Sequence, residues 1–201
     1  MMVEWTNMPI LEGRFVRLSP MGMARFDALF EATAPDTFVY FPGGPRAWSR
    51  ESFRGFVEGM LGETNRWMML VEEPGTGRVL GSSSFMDMRA AHLGLEIGST
   101  WYSPHARGTL VNPECKLLML AHAFDVLGCE RVQLKCDWRN ERSKRAIAKM
   151  GATFEGVLRK HMVMPDGFVR DTAMFSVIKS EWPGVRARLE QRLSQADRPG
   201  T

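Results

Sequence analysis

Ser103-Pro104-His105-Ala106-Arg107-Gly108-Thr109-Leu110-Val111-Asn112-Pro113 leads out of a strand-like run, Leu93 to Trp101, and into a helix pattern. Asn112 reads as an N-cap with Pro113 at the first helical position, and Leu117, Leu120, Ala121, Phe124 and Leu127 trace a buried stripe behind them. A strand-to-helix loop of this kind presents unpaired backbone N–H groups at the positive end of a helix dipole, which favours a bound anion. Gly108 lets the backbone approach closely, Arg107 supplies a charged donor, and the Thr109 hydroxyl and Asn112 amide add hydrogen-bonding groups. By itself the segment is equally consistent with an ordinary capped loop.

Working outward, Phe15 to Leu18 forms a strand candidate, and Met23, Phe26, Leu29, Phe30 and Thr33 recur at helical spacing. Ser49 caps a second helix with the stripe Phe53, Phe56, Val57, Met60 and Leu61. Trp67 to Glu72 and Arg78 to Met86 read as a hairpin about Pro74-Gly75-Thr76-Gly77. Beyond the central loop, Arg131 to Asp137 alternates with Val132, Leu134 and Cys136 on one side, and Asn140 opens a helix stopped by Gly151. This strand, the helix and the next strand suggest a βαβ-like unit. Ala152 to Met162 and Phe168 to Lys179 flank the turn Pro165-Asp166-Gly167, and Val185, Leu189 and Leu193 mark a C-terminal helix. The order predicts an α/β (α+β) fold, with a mixed, mostly antiparallel sheet of about seven strands and helices on both faces. Residues 1–193 are expected to form one domain and residues 194–201 a disordered tail.

The 201 residues are 44% hydrophobic and 24% charged, with a formal charge of +3, an ordinary globular balance that points away from nucleic-acid and membrane surfaces. No apolar run approaches the roughly 20 residues needed to span a bilayer, and the N-terminus lacks the apolar core of a secretory signal. Cys115, Cys129 and Cys136 are odd in number and lack metal or redox spacing, so reduced thiols and a cytoplasmic location are expected. His92, His105, His122 and His161 are scattered, which argues against a metal centre. Asp137, Asp171 and His161 fall near strand ends, but spacing leaves their direction open.

Leu95-Glu96-Ile97-Gly98, the Arg107-Gly108-Thr109 loop, Asn140-Glu141-Arg142-Ser143 and Lys149-Met150-Gly151-Ala152 follow one another in an order that resembles the GNAT N-acetyltransferases. More narrowly, the chain resembles the branch containing the ribosomal-protein-alanine N-acetyltransferases, over about residues 10–183. The resemblance implies transfer of an acetyl group from acetyl-CoA to a primary amine, on a protein N-terminus or a small molecule, without a metal. It implies that Arg107, Gly108, Thr109, Leu110, Val111 and Asn112 wrap the CoA pyrophosphate, and that Asn140 and Ser143 face the pantetheine arm and thioester. Leu110 departs from the family, which usually carries a second glycine there.

Acyl transfer to an amine needs a proton acceptor and a proton source for the leaving thiolate. Glu96, mid-strand between apolar neighbours, is the candidate acceptor, directly or through water; its alternative is a strand carboxylate paired with an arginine. The resemblance implies a proton donor that is either a tyrosine near the last strand, where this chain has Phe175, or a serine at the start of the later helix, which makes Ser143 the candidate; its alternative is a helix-start hydroxyl with no chemical role. Trp101 and Tyr102 are candidates for the cofactor pocket wall, with a core role as the alternative. A CoA-binding protein that has lost turnover is the competing function, and a homodimer is compatible with the related branch.

Overall fold

The computed structural model describes residues 5–195. One eight-stranded sheet runs through it in the order β1-β2-β3-β4-β5-β6-β8-β7. The strands are β1 Leu11–Glu12, β2 Arg17–Pro20, β3 Arg66–Glu72, β4 Val79–Arg89, β5 Gly94–Tyr102, β6 Arg131–Asp137, β7 Thr153–Val163 and β8 Val169–Ile178. The helices are α1 Phe26–Glu31, α2 Arg50–Leu61, α3 Val111–Ala121, α4 Glu141–Met150 and α5 Trp182–Ser194. Every neighbouring pair is antiparallel except β5 and β6, which α3 connects as a crossover. The sequence patterns account for all of these strands but the two-residue β1, which makes eight where about seven were expected.

The central strands are buried on both faces, and β3 shows how its sequence arranges this. In Trp67-Met68-Met69-Leu70-Val71 the odd-numbered residues enter a core with α3, α4 and α5, while Met68 and Leu70 enter a second core with Phe26, Leu29, Phe53 and Val57 of α1 and α2. α2 begins where expected: the Ser49 hydroxyl accepts the Ser52 N–H at 3.1 Å.

Three local expectations are corrected. Asn112 does not cap α3, which starts one residue earlier; Leu110 is the N-cap residue, and the preceding Thr109 hydroxyl accepts the Val111 N–H at 3.3 Å. A threonine hydroxyl on the loop reaches the first-turn donors, and Asn112 is freed to accept from the Tyr102 hydroxyl. The buried side of α3 is Cys115, Met119, Leu120, Ala123 and Phe124, with Leu117 and Ala121 only partly covered. A π-turn at His122–Val126, in which Leu127 N bonds His122 O at 2.9 Å, takes up an extra residue that a 3.6-residue stripe does not allow for. Finally, β6, α4 and β7 do not form an adjacent βαβ unit, because β8 inserts between two parallel strands. The tight Pro165-Asp166-Gly167 turn brings β8 back beside β7, where it covers the β6 edge. The C-terminal helix pattern holds through Ser194; most of the expected tail, 196–201, lies outside the described residues. Among those residues no helix is long and apolar enough to cross a membrane.

α3 is tied to the start of the domain by a buried carboxylate. Glu114 accepts N–H groups of Arg14, at 2.9 Å to Oε1, and of Phe15 and Val16, at 2.5 and 2.7 Å to Oε2. Hydrogen bonds to an ionised acceptor are about twice as strong as neutral ones, and three backbone donors would be stranded without it. Glu114→Ala is expected to lower unfolding free energy by about 3 kcal/mol, with Glu114→Gln falling between it and the parent, as read by urea denaturation.

Candidate active site

β5 and β6 pair over only three residues, Gly94 with Arg131, Leu95 with Val132 and Glu96 with Gln133. Beyond Glu96 the strands separate: β5 stays on β4 as far as Tyr102, and β6 stays on β8 as far as Asp137. Where β5 turns away its register against β4 slips between Ser82 and Ser84, and Ser99 sits at φ 45°, a left-handed conformation rare for a residue with a side chain. A cavity of about 1200 Å³ occupies the wedge. That volume exceeds the 300–1,000 Å³ typical of a drug-sized ligand and leaves room for two reactants.

One wall is the loop before α3. Gly108 has φ 79°, and a Cβ there would meet nothing, so the position is a cradle shaped by backbone conformation rather than by crowding. Among the described residues the N–H groups of Gly108, Thr109, Leu110 and Asn112 bond to no carbonyl, which is the donor array an anion needs. Arg107 contributes differently from the expected free donor. Its Nε donates to Tyr102 O at 3.0 Å, its terminal nitrogens reach Asp36 at 3.2 and 3.3 Å, and Nη2 donates to Thr37 Oγ1 at 3.1 Å. The guanidinium therefore staples the loop to the α1–α2 connection and holds the Asp36 carboxyl below its ordinary pKa. Leu110 has φ −79°, open to any residue, and does not line the large cavity; with Thr109, Lys149 and Arg192 it lines an adjoining recess of about 420 Å³. Val111 belongs to the core.

The floor is a polar face. On β6, Val132, Leu134 and Cys136 enter the core beneath α3 and α4, so Gln133, Lys135 and Asp137 point the other way. Register carries this face across the sheet: Gln133 lies beside Glu96 on β5, and Asp137 beside Thr172 on β8, with Arg170 two residues before it. Glu96 is 2% exposed, bonded to Gln133 Nε2 and Lys135 Nζ, each at 2.8 Å. Its partner is thus a lysine on the neighbouring strand, not an arginine. A Cβ on Gly98 would stand 2.8 Å from Glu96 Oε1, so glycine leaves the carboxylate its space. Burial pushes the Asp137 carboxyl up, but its bonds to the Arg139 side chain and N–H outweigh this and hold it low. Burial, with Lys135 and Arg170 adding to it, lowers the nearby His161 pKa and favours neutral imidazole. Asp171 instead bonds the Lys160 N–H on the exposed hairpin.

The α3 side adds Lys116, 5% exposed, whose Nζ donates to Ser83 Oγ at 3.0 Å and Thr100 Oγ1 at 2.6 Å. Burial pulls its pKa down. Tyr102 lines the cavity and bonds Asn112 Oδ1 at 3.1 Å; burial raises its pKa, so the phenol stays protonated. Trp101 shows one edge to the cavity but is mainly core, its Nε1 donating to Thr33 Oγ1 at 3.1 Å. Asn140 caps α4 by accepting the Ser143 N–H at 3.0 Å, and both residues line the wedge. Phe175 packs in the core at 5.2 Å from the Phe154 ring.

A family model described as an acetyltransferase (GNAT) domain matches residues 16–153. The chain belongs to the GNAT acetyltransferase family. A Thermus thermophilus structure described as an acetyltransferase is 43% identical and superimposes with a TM-score of 0.88 over 94% of this chain and 100% of its own. A Bacillus subtilis (strain 168) protein named as an uncharacterized N-acetyltransferase, YoaA, is 30% identical over 109 residues, 54% of this chain; the match spans 60% of that protein. Mycobacterium smegmatis RimJ in complex with CoA-disulfide, 20% identical, shares the fold with a TM-score of 0.74 over 94% of this chain and 95% of its own.

Within this GNAT domain, sequence reasoning brought Glu96, Tyr102, Arg107, Gly108, Asn112, Asn140 and Ser143 to one cavity. It missed Lys116, Lys135 and Arg170. The alternation that marks Val132, Leu134 and Cys136 as core also marks Gln133, Lys135 and Asp137 as a shared opposite face, the one signal in the sequence for Lys135. The three cysteines are core residues, of which Cys136 also lies at the cavity wall near Ser143, and burial raises all three thiols, Cys129 to about 12. Since thiolate is the reactive form, native protein at about pH 8 is expected to resist iodoacetamide while unfolded protein takes three labels, as counted by mass spectrometry.

Proposed function

We propose that the protein transfers an acetyl group from acetyl-CoA to a primary amine, by direct attack in a ternary complex. The observation that carries this is the wedge itself: unpaired N–H groups at one end, a buried carboxylate at the other, and strand edges with no pairing partner between them. The Gly108 to Asn112 backbone suits the pyrophosphate, and Lys149 and Arg192 give the adjoining recess two cations for further phosphate. Beyond Glu96, free β5 and β6 edge groups suit the amides of the pantetheine arm. When bound, acetyl-CoA supplies the activated acyl carbon.

Glu96 then accepts the proton lost by the attacking amine, directly or through water, while the new C–N bond forms and the C–S bond breaks. Ser143, at the start of α4, passes a proton to the departing thiolate and takes one back from solvent, to which Glu96 returns the proton of the amine. Lys135 and Gln133 hold the Glu96 carboxylate in place. The acceptor enters on the side of the α1–α2 connection and the β7–β8 hairpin, whose Tyr40, Phe41 and Met162 reach the cavity. A protein N-terminus and a small amine are both compatible with this entrance.

Isothermal titration with acetyl-CoA tests the first half, with a dissociation constant of micromolar order expected. Gly108→Val, forced to φ 79°, should weaken it at least about tenfold. Glu96→Gln should leave that binding intact and lower kcat in a thiol-release assay by about 10²-fold, with a smaller loss for Ser143→Ala. Full binding with no turnover on any amine would instead favour a CoA-binding sensor.

A further inference from the structure

Four of the cations that line the cavity are met by carboxylates, while Lys116 is held by hydroxyls and Arg142 is exposed to solvent. Arg66 meets Glu63, Arg107 meets Asp36, Lys135 meets Glu96 and Arg139 meets Asp137. Arg170 is the buried guanidinium in this wall that, among the described residues, meets no carboxylate. It is 3% exposed. Its Nε donates to Thr172 Oγ1 at 3.2 Å and its Nη1 to the Tyr40 carbonyl at 3.0 Å. Of the five N–H donors these bonds use two. The Nη2 edge has no acceptor among the described residues, yet it is not one of the atoms walled off from solvent, and the residue lines the cavity.

A buried cation held by neutral groups alone is costly, since neither a carbonyl nor a hydroxyl returns the solvation that a charge loses. The two carboxylates whose fields reach Arg170, Glu96 and Asp137, are each committed to another cation. Its planar fork is the shape that takes a carboxylate through two parallel hydrogen bonds. The Tyr40 carbonyl and Thr172 hydroxyl fix that fork against β8 and the α1–α2 connection, so it is aimed before any ligand arrives. On the same face of the sheet stands Glu96, one strand beyond β6, at the end of the cavity where the amine is deprotonated.

We propose that Arg170 anchors a carboxylate on the acceptor, so that the acceptors of this site are primary amines that also carry a carboxylate a few bonds away. This rests on the transferase reading above. The amine is placed toward Glu96 and the carboxylate toward Arg170 Nη2. A free amino acid has this chemistry, and so does a peptide N-terminus followed by an acidic side chain. Polyamines and simple alkylamines lack the anion and would leave Arg170 uncompensated.

The test uses the full-length protein, acetyl-CoA and a thiol-release assay. The panel holds L-amino acids, each beside its carboxamide and its decarboxylated amine, and short peptides with Asp or Asn at the second residue. The carboxylate member of each pair is expected to have the higher kcat/KM by about 10- to 100-fold. Arg170→Gln should erase that difference mainly through KM while acetyl-CoA affinity stays unchanged, and Arg170→Lys should retain part of it. If Arg170→Gln does not fold, the parent's comparison across each pair decides alone. Equal rates within the pairs, or a preference for the decarboxylated amines, overturn the proposal. Amino acids outrunning Asp peptides mark a small-molecule acceptor, and the reverse a peptide; either order supports the carboxylate anchor. Should no amine react although acetyl-CoA binds, the transferase reading fails. Thermal unfolding with CoA then reads Arg170 separately: a melting temperature raised by the amino acid but not its carboxamide supports the anchor, and equal effects overturn it.

Discussion

The large cavity of this protein depends on β5 and β6 pairing for three residues and then separating. Backbone N–H and C=O groups inside a protein are almost always satisfied, so a sheet that opens midway leaves edge groups facing a void. The fold sustains this because each strand is held on its far side, β5 by pairing along β4 out to Tyr102 and β6 by a full register with β8. The irregularity at Ser99 bends β5 away and gives the opening its direction. A slit between two otherwise well-paired strands thereby keeps its unpaired edge groups in fixed positions along the backbone of β5 and β6.

Charge is treated within the wedge by local compensation. Glu96 and Asp137 are nearly sealed from solvent at 2% and 1% exposure, and each is met by a cation within 2.8 Å. Ion pairs of this kind add little net stability, because desolvation offsets attraction, but they fix direction. The same pattern makes its exceptions informative. Lys116 is surrounded by hydroxyls and Arg170 by a carbonyl and a hydroxyl, so these two buried basic side chains of one cavity meet no carboxylate.

Two tethers keep the walls in register with the sheet. Glu114 draws the chain before β2 onto α3, and Arg107 draws the α1–α2 connection onto the loop that begins α3. The first is buried and acts through backbone donors; the second is nearer solvent and spans the mouth of the cavity. Both join segments far apart in sequence to the helix whose N-terminus carries the unpaired N–H groups. α3 is thus both the crossover that allows a parallel pair and the reference against which the rest of the site is placed.

Local pattern in the sequence determined the elements, the order of helices and strands, the glycine-bearing loop before α3 and the asparagine cap of α4, because caps, turns and periodicity act over a few residues. It also placed Glu96, Asn140 and Ser143 in elements that the family arranges around one site. Tertiary structure alone decided what those residues touch. That Arg107 is spent on Asp36, 71 residues away, and that Thr109 rather than Asn112 serves α3, follow from contacts no spacing encodes. Lys135 met Glu96 only through the β5–β6 pairing, and Arg170 joined the same face only when β8 inserted between β6 and β7. Side-chain alternation says which residues share a face; only the closed sheet says what that face meets.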